Sequence, residues 1–280
     1  MCLARQPVRN AGLTASTLIE ESMTEESSRQ APRVLSILAH PDDAEFFCAG
    51  TLIRLQELGF EVHIATMTPG DCGSMEHGAS EIAGIRRQEA AEAAARIRAH
   101  YHCLDGRDLL VQYDAEHIRA AVETVRRVAP EIVITHAPQD YHLDHEMTSL
   151  VVRNACFAAP APNLDTGRRP AHAATDSIPH LYYASPAAGT DIFGQAVPST
   201  ILINISDVIG LKADMLACHR SQREWLQAQH GMDEYIEEMR RWSAEQGKQA
   251  GVEFAEGFRQ HLGHPYPQDD KLTALLSAKK

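Results

Sequence analysis

The feature that most constrains this chain is an alternation in which short, nearly continuous apolar runs recur, each followed by a stretch at helical spacing. Residues 34–39, Val-Leu-Ser-Ile-Leu-Ala, fit a strand buried on both faces, since a strand with one wet face alternates apolar and polar residues. The run stops at His40-Pro41-Asp42-Asp43, where a proline and two aspartates end a strand and can cap a helix. Residues 44–58 read as that helix, with Phe47, Leu52, Leu55 and Leu58 at its spacing and Gly59 at its C-terminal cap. A strand at 62–67 completes a β-α-β unit.

The pattern continues. Helices are expected at 80–99, 115–128 and 144–157, and strands at 101–104, 109–111, 131–135, 180–184 and 201–205. Residues 208–247 read as mostly helical, and 254–258 close the ordered part. Such alternation implies a parallel sheet covered on both faces, with a helical C-terminal part. Residues 1–31, polar and rich in Ser, Thr and Glu, read as a disordered tail that contains a second candidate start at Met23. One domain spans 32–262, its Pro/Ala/Gly-rich stretch 158–199 reads as a pocket-lining insertion, and 263–280 as a peripheral tail.

Composition narrows the function. With 26 Lys+Arg against 38 Asp+Glu the net charge is −12, which disfavours nucleic acid or an anionic membrane as a partner. No run approaches the roughly 18 apolar residues of a membrane span, and the N-terminus lacks an apolar signal core. A cytoplasmic location is the expectation. The six cysteines show no C-x-x-C pair, which disfavours a Cys-rich zinc module or a disulfide framework. The odd number is 15 histidines.

Two strand-to-helix junctions gather the same chemistry, His40-Pro41-Asp42-Asp43 and His142-Leu143-Asp144-His145. In open parallel sheets ligands bind in the crevice outside the strands' C-terminal ends. Two histidines and a carboxylate from such junctions can hold a three-ligand metal site that leaves one position open. Helix capping or a hydrated loop explains either cluster alone as well as a site does, whereas the two together at matching sheet positions favour a site. His145-Glu146 is not a metalloprotease helix, because Ser149 stands where the second histidine belongs.

These motifs resemble the LmbE-like (PIG-L) family of metal-dependent N-acetylglucosaminyl deacetylases. The resemblance runs on through Thr68-x-Gly70-Asp71-x-Gly73-Ser74, Arg86-x-x-Glu89, His219-x-Ser221-Gln222 and Glu256-Gly257-Phe258-Arg259, over residues 33 to 260. It implies a Rossmann-like three-layer α/β sandwich. It implies His40, Asp43 and His145 as ligands of Zn2+, with Fe2+ able to replace it. It implies Asp42 as general base and His142 as the group that polarises the scissile carbonyl, with Asp144 orienting His142 and helping to keep it protonated. Arg86, Asp71, His219 and Gln222 are the expected substrate contacts, although Arg86 could equally form a surface pair with Glu89 or Asp105. The family often has Glu directly after Asp-Asp and a Gly-Gly pair in the helix; here Ala44 precedes Glu45, and the pair is Ala49-Gly50.

The implied reaction is removal of acetyl from an N-acetylglucosamine-type sugar by a metal-activated water. A bound zinc ion lowers that water's pKa from about 15.7 to about 7. Another amide, such as a thiol conjugate or an N-acylated natural product, is the alternative. A non-catalytic nucleotide-binding domain is disfavoured by the lack of G-x-G-x-x-G after the first strand and of a Walker lysine. Among the other histidines His63, His77, His100, His102, His117, His230, His261 and His264 show no partner pattern and are assigned to surface or packing. Trp225 and Trp242, at helical spacings, are assigned to core or subunit contact, which leaves a homo-oligomer open.

Overall fold

A computed structural model describes residues 31–223 and 235–277. Strands β1 (Arg33–Leu38), β2 (Glu61–Thr66), β3 (His100–Cys103), β4 (Ile132–Thr135), β5 (His180–Ala184), β6 (Ile201–Asn204) and β7 (Ala255–Gln260) form one sheet in the order β3-β2-β1-β4-β5-β7-β6. The first five run parallel. β7 inserts antiparallel between β5 and β6, a direction that the sequence pattern does not encode.

The two faces follow from side-chain alternation along each strand. Val34, Leu38, Val62 and Ile64 turn to one core, shared with Leu52 and Leu55. Leu35, Ile37, Ala65 and Val133 turn to the other, shared with Val122, Val125 and Val151. Helices therefore cover both faces: α1 (Asp43–Phe47), α2 (Ala49–Glu57), α3 (Ala79–Ala95), α4 (Ala115–Val128), α5 (Leu143–Ala158), α6 (Ile209–Leu216), α7 (Tyr235–Ala250) and α8 (Lys271–Leu276). The α/β sandwich expected from the alternation is the observed architecture.

Four expectations need correction. The helix expected over 44–58 is two helices, because Cys48 leaves helical geometry at φ −146°. Residues 109–111 are irregular rather than a strand, since Leu109 is left-handed and the Leu109 and Val111 N–H groups bond Asp144. Within 158–199 Ala187 alone lines the cavity, and the segment is tied down elsewhere. Glu123 of α4 accepts from the Thr166 hydroxyl at 2.6 Å and the His172 N–H at 3.1 Å. The end after residue 262 is not peripheral, because Tyr266 and Leu272 are buried and the Leu272 N–H donates to the Tyr182 hydroxyl at 3.0 Å. The expected tail and Trp225 and His230 lie outside the described residues.

Candidate metal centre and cavity

The two motifs meet because β1 and β4 are neighbours in the sheet though far apart in sequence. From β1 the chain steps outward through β2 to β3, and β4 and β5 build in the opposite direction, which makes the C-terminal ends of β1 and β4 the switch point where such sheets bind ligands. His40 and the two aspartates leave β1 there, and His136 to His145 leave β4.

Backbone geometry aims the acids. Asp42 sits at the N-cap position of α1 with φ 102°, yet its side chain caps nothing. A non-glycine residue held there costs on the order of 1–3 kcal/mol, strain that persists where the surroundings impose it. Its carboxylate instead faces the cavity beside Arg86, whose Nη2 lies 3.5 Å from Asp42 Oδ2 and donates to the Pro41 carbonyl at 2.8 Å. The glycine-rich turn makes room for this guanidinium, since a Cβ on Gly70, at φ +69°, or on Gly73 would collide with it.

Asp43 is the hub. Its Oδ2 accepts the His40 N–H at 2.7 Å and lies 3.3 Å from His40 Nδ1, and its Oδ1 lies 3.5 Å from His145 Nε2. The ligand atoms of His40, Asp43 and His145 all fall within 4.8 Å of one another. Ligands held at about 2.0–2.2 Å around one tetrahedral ion stand about 3.4 Å apart, so these separations suit a shared cation. The remote nitrogens suit it too, because a ligating histidine gives its other ring nitrogen to a carboxylate or carbonyl. His40 Nε2 faces Asp108 at 3.2 Å and Asp144 at 3.4 Å, and His145 Nδ1 faces Asp140 at 3.1 Å. The residues present fit a divalent ion. The groupings His40–His142–Asp144 and His136–Asp140–His145 also converge, but their atoms are engaged: His142 Nδ1 accepts the Asp144 N–H, and Asp140 accepts from the His142 N–H and faces His145.

Burial and neighbours set the protonation. Burial lifts Asp42 above the ordinary carboxylate range, the Arg86 charge only partly offsets it, and the neighbouring Asp43 charge adds to the rise. Asp43 is held well below that range, because the His145 and His136 charges outweigh its burial. Burial opposes charge on His145, but Asp43 and Asp140 outweigh it and raise its pKa to about 9. A cation must displace that proton, so metal affinity is expected to fall as pH drops below about 9, by up to about ten-fold per pH unit for each proton displaced. Competition titration with a chelator at pH 6, 7 and 8 checks this; a dissociation constant that stays flat removes His145 from the ligand set.

The cavity above the cluster encloses about 670 Å3. His40, Asp42, Asp43, His142, His145, Arg86 and Gln222 lie on its wall together with the rings of Phe46, Phe47 and Tyr141, of which Phe47 and Tyr141 stand with centroids 5.9 and 5.5 Å from the His145 ring. Other expected contacts lie behind the wall. Asp71 accepts the Asp108 N–H at 2.9 Å and pairs with Arg107 at 2.8 Å, which fixes the loop that presents Asp108. His219 is buried against Glu45 at 3.3 Å. Arg86 is not a surface pair either: Arg87 takes Asp105 at 2.7 Å, and Glu89 accepts from Ser221 at 2.6 Å. Asp144 does not bond the His142 ring through its carboxylate; its backbone N–H donates to His142 Nδ1 at 3.1 Å, and the carboxylate holds Leu109 N–H at 2.7 Å. His142 is accordingly not held protonated, since burial and then the His40 charge lower its pKa.

Sequence reasoning missed Asp108, His136, Asp140 and Tyr235. The His136 ring stacks on His145 with centroids 3.8 Å apart, and the Tyr235 hydroxyl hydrogen-bonds Asp42.

The sequence and the fold are similar to those of known proteins. Residues 35–156 match the PIG-L family model, described as GlcNAc-PI de-N-acetylase. The chain is 27% identical over 217 residues to the 1D-myo-inositol 2-acetamido-2-deoxy-alpha-D-glucopyranoside deacetylase of Mycolicibacterium smegmatis, covering 65% of this chain and 71% of that protein. It is 28% identical over 236 residues to the diacetylchitobiose deacetylase of Thermococcus kodakarensis, covering 81% and 82%. The fold is shared with the N,N'-diacetylchitobiose deacetylase of Pyrococcus horikoshii, at TM-score 0.70 and 22% identity over 94% of this chain and 99% of that one. A 4-oxalmesaconate hydratase of Pseudomonas putida is also similar, 25% identical over 143 residues, 48% of this chain and 55% of that protein.

Proposed function

We propose that this protein is a divalent-metal-dependent hydrolase that removes acetyl from an N-acetylglucosamine-type amino sugar. The observation that carries the reading is Asp42, a buried carboxylate of raised pKa on the cavity wall immediately beside the His40, Asp43 and His145 cluster. A divalent ion held by those three residues, Zn2+ or Fe2+, supplies Lewis acidity that acidifies a water and polarises a carbonyl. Asp42 takes the proton of the attacking water and delivers it to the departing amine, a role for which a carboxylate of raised pKa is suited. Arg86 and Tyr235 hold Asp42 in place.

His142 donates to the developing oxyanion. Its Nδ1 accepts the Asp144 N–H, so the neutral ring carries its proton on Nε2. His142→Ala is expected to lower kcat by about 10²–10³ with metal content unchanged. Because the ring also caps α5, a stability loss of about 1 kcal/mol accompanies it. An unchanged kcat in a folded variant takes His142 out of the reaction.

The deciding experiment is acetate release from a panel of N-acetylglucosamine derivatives that differ only in the attached group, before and after chelation and metal return. Release that disappears with the metal and comes back with Zn2+ supports the reading; no release from any member overturns it. The Pseudomonas putida relative gives the second reading, hydration of an unsaturated acid by the same metal-and-base pair. Water uptake by such an acid, with the sugar panel inert, selects that reading. The partner is a small molecule, in keeping with a net charge of −12, and no helix among the described residues is long and apolar enough to cross a membrane.

A further inference from the structure

At the other end of the strands from the cavity, β2 and β3 carry a second group of metal-ligating side chains. Glu61 and His63 occupy alternate positions of β2 and so share one face, and His100 of β3 pairs in register with His63. His63 Nε2 lies 3.4 Å and His100 Nε2 3.2 Å from the same oxygen, Glu61 Oε1. All three donor atoms lie within 4.8 Å of one another. The His63 side chain is 11% exposed, and its buried Nε2 has no hydrogen-bond partner. A buried ring nitrogen left so costs about 1–3 kcal/mol unless something else uses its lone pair.

The far side of the His63 ring is arranged as for a ligand. His63 Nδ1 meets His102 Nε2 at 3.0 Å with the two rings nearly parallel at 8°. When Nδ1 donates that bond, the Nε2 lone pair faces Glu61 and His100, the tautomer that a neighbouring acceptor imposes on metal-bound histidines. The cavity site has the same construction: ring nitrogens stand 3.3 and 3.5 Å from Asp43, and carboxylates hold the remote nitrogens. Arg33 and Arg127 act on this cluster as positive charges and oppose a cation, while the Glu61 carboxylate offsets one of them.

We propose that Glu61, His63 and His100 form a second divalent transition-metal site, with His102 positioning His63, and that the ion ties edge strand β3 to β2. Two imidazoles and a carboxylate suit Zn2+ or Ni2+ rather than Mg2+ or Ca2+. Full-length metal-free protein is titrated with Zn2+ against a chromogenic chelator and compared with a Glu61→Gln/His100→Ala double variant and with His145→Ala. Both residues of the double variant are partly or well exposed, and circular dichroism confirms that it is folded. The double variant is expected to bind one equivalent fewer than wild type at unchanged hydrolysis rate, and His145→Ala to retain that equivalent. His102→Phe is expected to weaken the same equivalent about 10–100-fold. Zn2+ stoichiometry in the double variant equal to wild type overturns the proposal. Because the equivalent is assigned by the double variant, its loss stands whether or not the cavity site proves to be a deacetylase.

Discussion

Asp42→Asn is expected to lower kcat/KM by about 10²–10⁴, the span that a positioned general base contributes, with metal content at the wild-type level. Asparagine keeps the size of the side chain and removes only the basic oxygen. The ligand set is untouched, since His40, Asp43 and His145 converge without Asp42. Arg86 loses its carboxylate partner but keeps the Pro41 and Gly70 carbonyls, so the fold is expected to survive. The pH profile separates the base from a merely structural role. A base acts when ionised, so wild-type kcat/KM rises with pH through the Asp42 pKa, which burial sets above the usual carboxylate value. That acid limb is expected to vanish in the variant, leaving a low, flatter profile. Metal loss that tracks the activity loss would make Asp42 a ligand instead, and a variant within ten-fold of wild type would place the base elsewhere.

How far this site was legible in the sequence depends on how each residue is presented. His40, Asp42 and Asp43 lie directly after the continuous apolar run of β1, and His142 and His145 lie one loop after that of β4, so the runs mark where the strands end and hence where the crevice opens. That β1 and β4 stand side by side is not in their sequence separation; it follows from the outward building of parallel sheets in both directions. Asp108 and Asp140 carry no such marker. Each is a lone acid in an irregular loop; the approach of Asp108 to an imidazole depends on how Asp71, Asp144 and Arg107 fold its loop back, and that of Asp140 on the bonds its loop makes with Glu146 and the His142 N–H. Asp144 shows the limit of carrying a role over by motif. The residue stands where the motif places it, but its carboxylate is spent on the Leu109 and Val111 N–H groups, which belong to a segment the pattern reads as a strand. Direction in the sheet was equally hidden, since the apolar residues of β7 suit either orientation and only its partners β5 and β6 fix it antiparallel.

Glu256→Leu is expected to be the most destabilising single change outside the cavity, by about 3–5 kcal/mol, because it strands a buried charge. Lys212 and Glu256 are almost completely enclosed, with Nζ to Oε1 at 2.7 Å. The carboxylate also accepts the Gly50 N–H at 2.8 Å and the Thr51 N–H at 2.7 Å. Those amides belong to the first turn of α2, where N–H groups lack helical partners and the helix end favours negative charge. The break at Cys48 exposes this second helix start, and Glu256, reaching from β7, fills it. Lys212→Met is expected to cost less than Glu256→Leu, because the stranded carboxylate keeps two amide donors whereas the stranded ammonium keeps, among the described residues, the Ser243 hydroxyl at 3.4 Å. The double variant is expected to be more stable than Glu256→Leu alone, since no charge is then left unpaired, but to remain below wild type by the cost of two bare amides, about 1–3 kcal/mol each. Urea unfolding of the four proteins closes the cycle. Against a total of about 5–15 kcal/mol for a folded domain, single variants that each lose under 1 kcal/mol would mean that water reaches the pair, and a double variant as unstable as Glu256→Leu would assign the loss to the amides alone.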